Sequence, residues 1–425
     1  MKINIPHIHK IEGEAGFWAE VTKSGEVKQL KISTQEGLRQ IEGILIGRRV
    51  QDAPLVVSRV CGICPVVHIL NACCALEKAL GIKVSDLTVL IRKLLLASQV
   101  IQSHTLHLFF MNLADFLNIE SDLELLKKFP KEAKAAMKVR DYSLDIIREV
   151  GGRVVHPLTP QIGGFLRIAQ KENFEKILKN NSEALKNIIF LTKALIKIDY
   201  PQFSRQTSFL SLASKGNYPF YSSNSLEFEN NKFSFGDFYS NRLKEDLSAL
   251  PVRRATFEGR PYMLGAIARV KNNSDGLNAQ AKEVFGEFLK TKKENQETVF
   301  DNVFYNLFFQ GLEAIHFIEE TEKIVKEILQ QDLSEKPKEI KVKQGSGLSV
   351  MEAPRGTLFT YFEIDDGGRI KNCDIITPSA QFLTNLEEDL RVYLPQILGL
   401  SQKEQEKKIR ALVRVYDPCI SCATH

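Results

Sequence analysis

Two pairs of cysteines with the spacing of a metal-binding motif stand near opposite ends of the sequence. Cys61 and Cys64 lie in SRVCGICPVVH, and Cys419 and Cys422 lie in DPCISCATH. The turn inside a CxxC motif brings both sulfurs to the same side, so that two thiolates reach one metal ion. Two such pairs therefore predict a site with four thiolate ligands.

Spacing alone leaves the metal and the role of this site open. Four cysteines are typical of structural zinc, but zinc ribbons close over roughly 15 to 20 residues, whereas most of the chain separates these pairs. Disulfides are a second alternative, although nothing in the sequence indicates the oxidising compartment that favours them. The other cysteines, Cys73, Cys74 and Cys373, are interpreted as packed core thiols.

Acidic and imidazole side chains accompany both cysteine pairs. His68 follows Cys64 by four positions, which is one turn of a helix that begins at Pro65. Asp417 precedes the second pair by two positions, and His425 follows it by three. A lone histidine beside a helix is more often structural than a ligand, but the repetition of this pattern favours a reactive site.

The elements that must position these residues are predicted to be mainly helical. Apolar residues recur at helical spacing over 65–80, 84–117, 120–148, 170–197, 277–292, 298–330, 379–395 and 403–414. β-Hairpins are predicted over 14–33 and over 356–377, where DDGG forms the second turn. Residues 150–165 are predicted to form a loop and residues 330–349 a polar linker. We expect an α+β fold, mainly α with small β hairpins, formed as a single domain over 1–425.

Composition argues against several classes of protein. The 425 residues are 44% hydrophobic and 26% charged, as in ordinary globular proteins. The net charge of +5 is too small to indicate nucleic acid as a partner. Residues 94–114 carry no formal charge, but their many polar side chains favour a buried helix over a membrane span. The N-terminus has no apolar run of signal-peptide length, so we expect no export signal.

These motifs together resemble those of the large, catalytic subunit of nickel-iron hydrogenases. RVCGICPVVH and DPCISCATH match the two cysteine motifs of that family, and KIEGE, GLRQIEGILIGR, EAPRG and IITPSAQ match its lesser signatures in the same order. The resemblance runs from about residue 5 to residue 425. It implies a subunit with long central helices and peripheral β elements, which converts H2 reversibly to protons and electrons.

The resemblance also implies a metal centre between the two cysteine motifs. It would contain one nickel and one iron, and the iron would carry carbon monoxide and two cyanides. Cys61 and Cys419 would be terminal nickel ligands, and Cys64 and Cys422 would bridge the two metals. Thiolates suit soft metals of this kind.

A second metal site is implied close to the C-terminus. Members of the family bind magnesium or a similar hard cation there, and the matching ligands are Glu42, His425 and the backbone carbonyl of Ile375. Oxygen ligands are usual for such a cation, whereas histidine is less so. Without the resemblance, Glu42 would be interpreted as a surface charge on a helix and Ile375 as strand core.

Two residues take catalytic roles in proton transfer by the same matching. Glu12, in KIEGE, would be the first proton relay beside a terminal thiolate, Cys419, that acts as the base in heterolytic cleavage. Taken alone, Glu12 would be interpreted as a surface residue at the edge of a strand.

Other residues would surround the metals and tune them. Arg355, in APRG, would polarise H2 and hold one cyanide through its fixed donors. Ser379 would donate to the other cyanide, and Pro354 would pack beside it. His68 would hydrogen-bond a bridging sulfur.

Departures from the family pattern indicate a branch within it. Ser103, in IQSHTLH, replaces an aspartate common in membrane-linked members, so that the charged cluster over the metals is reduced to Arg355 and Asp417. KIEGE stands where RIEGH is usual, and RQIE where RGFE is usual. These features are similar to the cytoplasmic, multisubunit branch, which couples H2 to NAD(P) or ferredoxin.

Partners follow from the cysteine count. No clustered cysteines remain beyond the four assigned, so we expect no iron-sulfur cluster in this chain. An iron-sulfur small subunit is therefore expected as partner, with further flavin or iron-sulfur subunits. The resemblance also implies that a protease forms the C-terminus by cutting after His425.

Two alternatives remain at the level of sequence. The first is a scaffold similar to the quinone-binding subunit of respiratory complex I, which has the same fold without hydrogen chemistry and lacks the full set of metal cysteines. The second is a zinc-stapled structural protein, which predicts neither Glu12 nor Arg355 in its context.

Overall fold

Long helices form the centre of the structure. A computed structural model describes residues 1–34, 36–119, 121–223, 225–246, 248 and 250–425. The helices are α1 Ile41–Leu45, α2 Ala53–Val57, α3 Pro65–Leu80, α4 Asp86–Thr105, α5 Leu113–Phe116, α6 Asp122–Lys128, α7 Pro130–Gly151, α8 Lys171–Ile196, α9 Phe235–Asp237, α10 Ala266–Asn273, α11 Ala279–Lys292, α12 Asn306–Ile328, α13 Pro378–Ile397, α14 Gln402–Val415 and α15 Ile420–Ala423. Helix α12 packs against α4 and α8, and α7 packs against the same two helices.

Short antiparallel sheets lie around these helices. The strands are β1 Lys2–Ile8, β2 Ala15–Val21, β3 Val27–Ser33, β4 Pro160–Gln161, β5 Gly164–Phe165, β6 Leu210–Ala213, β7 Ser225–Phe228, β8 Asn231–Phe233, β9 Leu243–Asp246, β10 Arg254–Phe257, β11 Gly345–Ala353, β12 Gly356–Ile364 and β13 Ile370–Ile376. They pair as β1-β2-β3, β4-β5, β6-β7-β8, β9-β10 and β11-β12-β13. The predicted α+β class and both predicted hairpins, β2-β3 and β12-β13, are confirmed.

Helix boundaries follow local sequence signals. Helix α3 starts with Pro65 at its first position and stops at Gly81, whose φ of 70° is the left-handed conformation that glycine adopts readily. At the start of α4, the Ser85 side chain accepts a hydrogen bond from the backbone N–H of Thr88. These signals place α3 over the predicted range 65–80.

Two long predicted helices are divided in the structure. The range predicted over 84–117 holds α4, a π-helical segment from 106 to 112, and α5. The range predicted over 120–148 begins at Glu120, outside the described residues, and divides between α6 and α7 at Phe129. Pro130 occupies the first position of α7, where a missing N–H is tolerated.

The prediction of a polar linker over 330–349 is wrong at its C-terminal end, where β11 begins at Gly345. This strand packs on α3, and a Cβ atom on Gly347 would lie 2.7 Å from the backbone nitrogen of Ala79. Glycine therefore permits close backbone contact here, while its low strand propensity makes the segment resemble a linker.

The C-terminal segment is held by backbone hydrogen bonds to three distant parts of the chain. Ile420 N donates to Glu12 O at 2.8 Å, and Arg39 N donates to Thr424 O at 2.8 Å. Arg253 N donates to Ala423 O at 2.9 Å. Helix α15 is thereby fixed next to the β1-β2 connection and the start of α3.

The uncharged segment 94–114 runs through α4 and the π-helical segment into α5. Within the part of the chain that the structure describes, we find no helix with the length and apolar character needed to span a bilayer.

Candidate metal centre

The sulfur atoms of the four motif cysteines lie together in the interior. Their Sγ atoms are all within 4.8 Å of one another, and each residue is at most 4% exposed. Cys61 Sγ lies 3.6 Å from Cys419 Sγ, and Cys64 Sγ lies 3.6 Å from Cys422 Sγ. Each close pair joins one cysteine from each motif, so the two motifs form one site.

In both motifs, backbone N–H groups donate hydrogen bonds to the sulfur of the first cysteine. Cys61 Sγ accepts hydrogen bonds from the backbone N–H groups of Ile63 at 3.3 Å and Cys64 at 3.2 Å. Cys419 Sγ accepts one from Cys422 N at 3.3 Å. Such donors favour the thiolate, which is the form that ligates metals.

Charge also favours a cation between these sulfurs. Burial raises the pKa of Cys61, but hydrogen bonds from the other three thiols and the nearby Arg355 cation lower it well below its ordinary value. The pKa values of Cys64, Cys419 and Cys422 are raised, with burial as the main cause for Cys419 and Cys422. Ionisation of all four thiols would therefore require a bound metal ion to compensate the charge. Four buried sulfur donors fit soft metals such as nickel and iron.

Arg355 and Asp417 form a buried ion pair beside the sulfurs. Arg355 Nη2 donates to Asp417 Oδ1 at 2.8 Å, and Arg355 Nε donates to the Asp417 carbonyl oxygen at 2.6 Å. The third nitrogen, Nη1, is buried and has no hydrogen-bond partner among the described residues. Arg355 thus keeps one donor for a group bound in the site.

A small cavity opens on one side of the sulfurs. Its lining consists of Cys64, His68, Ala353, Pro354, Arg355, Leu358, Pro378, Ser379, Cys419 and Cys422. Ser379 Oγ accepts a hydrogen bond from Cys419 N at 2.9 Å, so its own hydrogen remains available to donate. The cavity combines apolar walls with a guanidinium and a hydroxyl donor, which suits small polar ligands on a metal.

His68 lies at the edge of the same cavity. Its Nε2 is 4.0 Å from Cys422 Sγ, a long contact. Burial lowers the pKa of His68 to about 4, so that the ring is neutral at ordinary pH.

Glu12 is placed by backbone pairing with the C-terminal motif. It lies between β1 and β2, forms a parallel β-bridge with Cys419, and is half-buried. Burial, followed by the negative charge of the nearby Cys61, raises the pKa of Glu12 to about 7. A carboxyl group with this pKa exchanges protons readily near neutral pH.

The three residues of the predicted cation site also come together. His425 Nε2 lies 2.8 Å from Ile375 O and 3.7 Å from Glu42 Oε1. Glu42 Oε1 accepts a hydrogen bond from Ile375 N at 2.9 Å. Arg253, which the sequence did not single out, lies against all three.

Ser103 is the predicted residue that the structure does not join to the site. It lies on α4, and its buried hydroxyl has no hydrogen-bond partner among the described residues. Asp417 is instead flanked by Gln310, whose Nε2 donates to Asp417 Oδ2 at 3.3 Å, and by His107 at 4.0 Å. The π-helical segment 106–112 carries His107, and no sequence signal predicted it.

Arg39 is a further residue that sequence analysis missed. Its Nη2 donates to Val60 O at 2.7 Å and also to Ser421 O, so that one side chain links the two cysteine motifs. The motif GLRQIEG contains this arginine, but its partners are distant in sequence and could not be read from it.

The other cysteines lie where they were predicted. Cys73 is fully buried on α3, and Cys373 is buried on β13. Cys74 is half-buried and contacts the hydroxyl of Tyr221 at 3.2 Å.

The chain is similar to known proteins both by family and by individual sequence. The family model described as nickel-dependent hydrogenase matches residues 39–166 and 213–425. Sulfhydrogenase 1 subunit alpha of Pyrococcus furiosus is 30% identical, over all of this chain and 98% of that protein. The beta subunit of the NAD-reducing hydrogenase HoxS of Cupriavidus necator is 24% identical, over all of this chain and 94% of that protein.

Comparison of folds gives the same result. The structure of an NAD+-reducing [NiFe]-hydrogenase in the H2-reduced state superposes with a TM-score of 0.88 and 24% identity. The match covers all of this chain and 99% of the other. The fold is therefore shared over its whole length.

Proposed function

This chain belongs to the nickel-dependent hydrogenase family as a catalytic large subunit, and on that premise we propose that its four cysteines hold a nickel-iron centre with carbon monoxide and two cyanides on the iron. The observation that carries the proposal is the group of four buried sulfurs within 4.8 Å of one another. When bound, the two metals would supply the redox and Lewis-acid chemistry for reversible heterolytic cleavage of H2.

The cavity and the family resemblance together support distinct roles for the cysteines. Cys64, Cys422 and Cys419 line the cavity, whereas Cys61 does not. By the family resemblance, Cys64 and Cys422 would hold both metals, and the donors and apolar walls of the cavity would suit the small ligands of the iron. Cys61 and Cys419 then bind nickel as terminal ligands. Ser379 and the free Nη1 of Arg355 would donate to the two cyanides, with Pro354 as an apolar wall.

Proton transfer falls to Cys419 and Glu12. Cys419 would accept the proton from H2, and Glu12 would carry it onward, since the two residues are paired through their backbones. Arg355 would stabilise negative charge near the reacting atoms through its donor, while Asp417 holds its guanidinium in place. His68 would tune the Cys422 sulfur as a neutral ring.

Electrons must leave through another protein. The chain has three cysteines beyond the metal site, whereas a cluster of the usual kind takes four. We propose an iron-sulfur small subunit as partner, with further flavin or iron-sulfur subunits that pass electrons to NAD(P) or ferredoxin. Such carriers are cytoplasmic, and we propose that location for the complex.

Exposed apolar side chains in two segments, one of which leads into the first cysteine motif, support a docked partner. They are Leu38, Ile44, Ile46, Leu55, Val155 and Leu158. The two segments that carry them are joined where the His156 ring donates to Ser58 O at 2.8 Å. Because Ser58 lies just before Cys61, a partner docked here would bring its cluster close to the metals.

The chain is proposed to fold as one domain. Its metal site draws ligands from the turn just before α3 and from the C-terminal segment, and its proton relay comes from the connection between β1 and β2. Glu42, Ile375 and His425 are proposed to surround a positive charge.

Elemental analysis and infrared spectroscopy of the purified holoenzyme test the proposal. We expect about one nickel and one iron per chain, with infrared bands from carbonyl and cyanide. Cys64→Ser should lose iron and these bands, whereas Cys73→Ser, which alters a buried thiol on the same helix outside the site, should retain both. Zinc alone in active-state protein, without such bands, would overturn the proposal.

A further inference from the structure

A guanidinium group occupies the place where the family resemblance predicts a hard cation. Arg253 Nη1 donates to Glu42 Oε1 at 2.6 Å and to Ile375 O at 3.2 Å. The same nitrogen lies 3.3 Å from Nε2 of His425. All three predicted ligands therefore already surround a positive charge that belongs to the chain.

The other nitrogens of Arg253 fix the group in this position. Nε and Nη2 donate to the two carboxylate oxygens of Glu245 at 3.1 and 3.0 Å. Nη2 also donates to Asp374 Oδ1 at 3.1 Å. This bidentate ion pair both attracts the guanidinium and fixes the orientation of its plane. Arg253 is buried, whereas its acidic partners are half-buried.

A divalent ion does not fit beside this side chain. Magnesium binds its ligands at about 2.1 Å in octahedral geometry. Arg253 Nη1 lies within 3.3 Å of all three groups, so an ion that they held would lie close to the guanidinium, and the two positive charges would repel each other. Binding of the ion would require the Arg253 side chain to move and to break its hydrogen bonds to Glu245.

We propose that Arg253 replaces the divalent cation and is the positioning residue that holds the C-terminal residue of this chain. Its backbone N–H donates to Ala423 O, and its side chain contacts His425, whose Nδ1 in turn contacts the Cys422 carbonyl oxygen. Arg253 thereby fixes the segment that carries Cys422. The inference takes from the proposed function only that Cys422 is a metal ligand.

Elemental analysis of the wild-type holoenzyme after gel filtration in EDTA tests the inference without any variant. We expect nickel and iron but no stoichiometric magnesium, manganese or calcium, and a Tm that neither EDTA nor added Mg²⁺ alters. One divalent ion per chain that EDTA removes together with a fall in Tm would overturn it. Nickel and iron, read in the same sample, report separately on the proposed function.

A pair of neighbouring variants gives a second test. Arg253→Ala should lower the Tm by on the order of 5 °C, because it leaves the half-buried carboxylates of Glu42, Glu245 and Asp374 without their cation. Added Mg²⁺ should restore part of this loss, since Glu42, Ile375 and His425 are then free to bind it. A Tm equal to that of the wild type would overturn the inference.

Arg254→Ala is the matched control. Arg254 is also buried, but it pairs with Glu387 at 2.7 Å and Ile32 O at 3.0 Å and does not contact His425. This variant should lose stability that Mg²⁺ does not restore. If Arg253→Ala fails to accumulate as holoenzyme, the elemental analysis of the wild type still decides.

Discussion

Glu12 and Cys419 lie side by side in a parallel β-bridge, and the N–H of the residue after Cys419 donates to the Glu12 carbonyl oxygen at 2.8 Å. Backbone pairing thus sets the position of the carboxyl group, while the side chain is free to exchange protons. A change of the side chain alone therefore tests the relay without disturbing the frame.

Glu12→Gln should lower the rate of H2-dependent reduction of a viologen dye by at least about 100-fold. The amide keeps the shape of the side chain but neither takes up nor releases a proton near neutral pH. Nickel and iron contents should stay at wild-type levels. Glu14→Gln, which alters an exposed carboxylate two positions along, is the control and should keep full activity. Equal rates for both variants would exclude Glu12 as the relay.

The direction of catalysis should set the pH dependence of the wild type. Glu12, with its pKa raised to about 7, must be ionised to accept a proton during H2 oxidation. Oxidation should therefore slow as pH falls below about 7, and H2 production, which needs the protonated form, should slow as pH rises above it. Measurement of both rates as a function of pH tests this prediction. In Glu12→Gln, neither rate should show this pH dependence.

Arg355→Lys should retain the metals yet lose about 100-fold or more in activity. Lysine keeps a positive charge beside Asp417, but its single ammonium nitrogen cannot take the places of the three guanidinium nitrogens Nε, Nη1 and Nη2. The infrared cyanide bands should shift, because the donor from Nη1 is lost. Arg205→Lys, in another buried ion pair with Asp389, is the control and should leave the bands unchanged. Unshifted bands in Arg355→Lys would contradict the assignment.

His316 makes the fold sensitive to acid at a place far from the cysteines in sequence. Its Nδ1 accepts a hydrogen bond from Asn278 N at 3.0 Å, and burial lowers its pKa to about 4. The unfolded chain binds a proton at higher pH, so the free energy of unfolding should fall as pH drops from about 6.5 towards 4, by about 3 kcal/mol in all.

His316→Asn retains an acceptor for Asn278 but does not titrate. Its Tm should therefore fall less than that of the wild type between about pH 7 and about pH 5. Differential scanning calorimetry of both proteins at the two pH values measures the difference. His7→Asn, which alters an exposed histidine, serves as the control. If the Tm of all three proteins falls by the same amount, His316 is not the cause of the acid sensitivity.

Local patterns are enough for the main elements of this fold. Helix α3 and the β12-β13 hairpin follow from Pro65, Gly81 and the DDGG turn. Strands β1 and β11 were missed because each depends on a partner elsewhere in the chain. The two glycines at the start of β11 are favourable only because α3 lies directly beneath them.

The residues of the metal site also divide into those that the sequence indicates and those whose roles depend on distant contacts. Residue type and spacing are sufficient to indicate the four cysteines, whereas Glu12 and Arg355 are indicated only by the resemblance of the motifs KIEGE and EAPRG to those of the family. Arg253 belongs to no such motif, and Arg39 belongs to one that does not indicate its role; both roles arise from contacts with residues far away in sequence. Long-range hydrogen bonds of this kind leave no periodic trace that a single sequence could reveal.

The backbone bonds from Glu12, Arg39 and Arg253 to the C-terminal segment have a kinetic consequence. They fasten that segment to three separate regions, so the sulfurs become accessible only when it detaches from them. The opening rate of this cooperative unit sets an upper limit on how fast an oxidant or chelator larger than the cavity can reach the thiolates. Exposure of the four sulfurs to such reagents is therefore governed by local unfolding of the C-terminal segment.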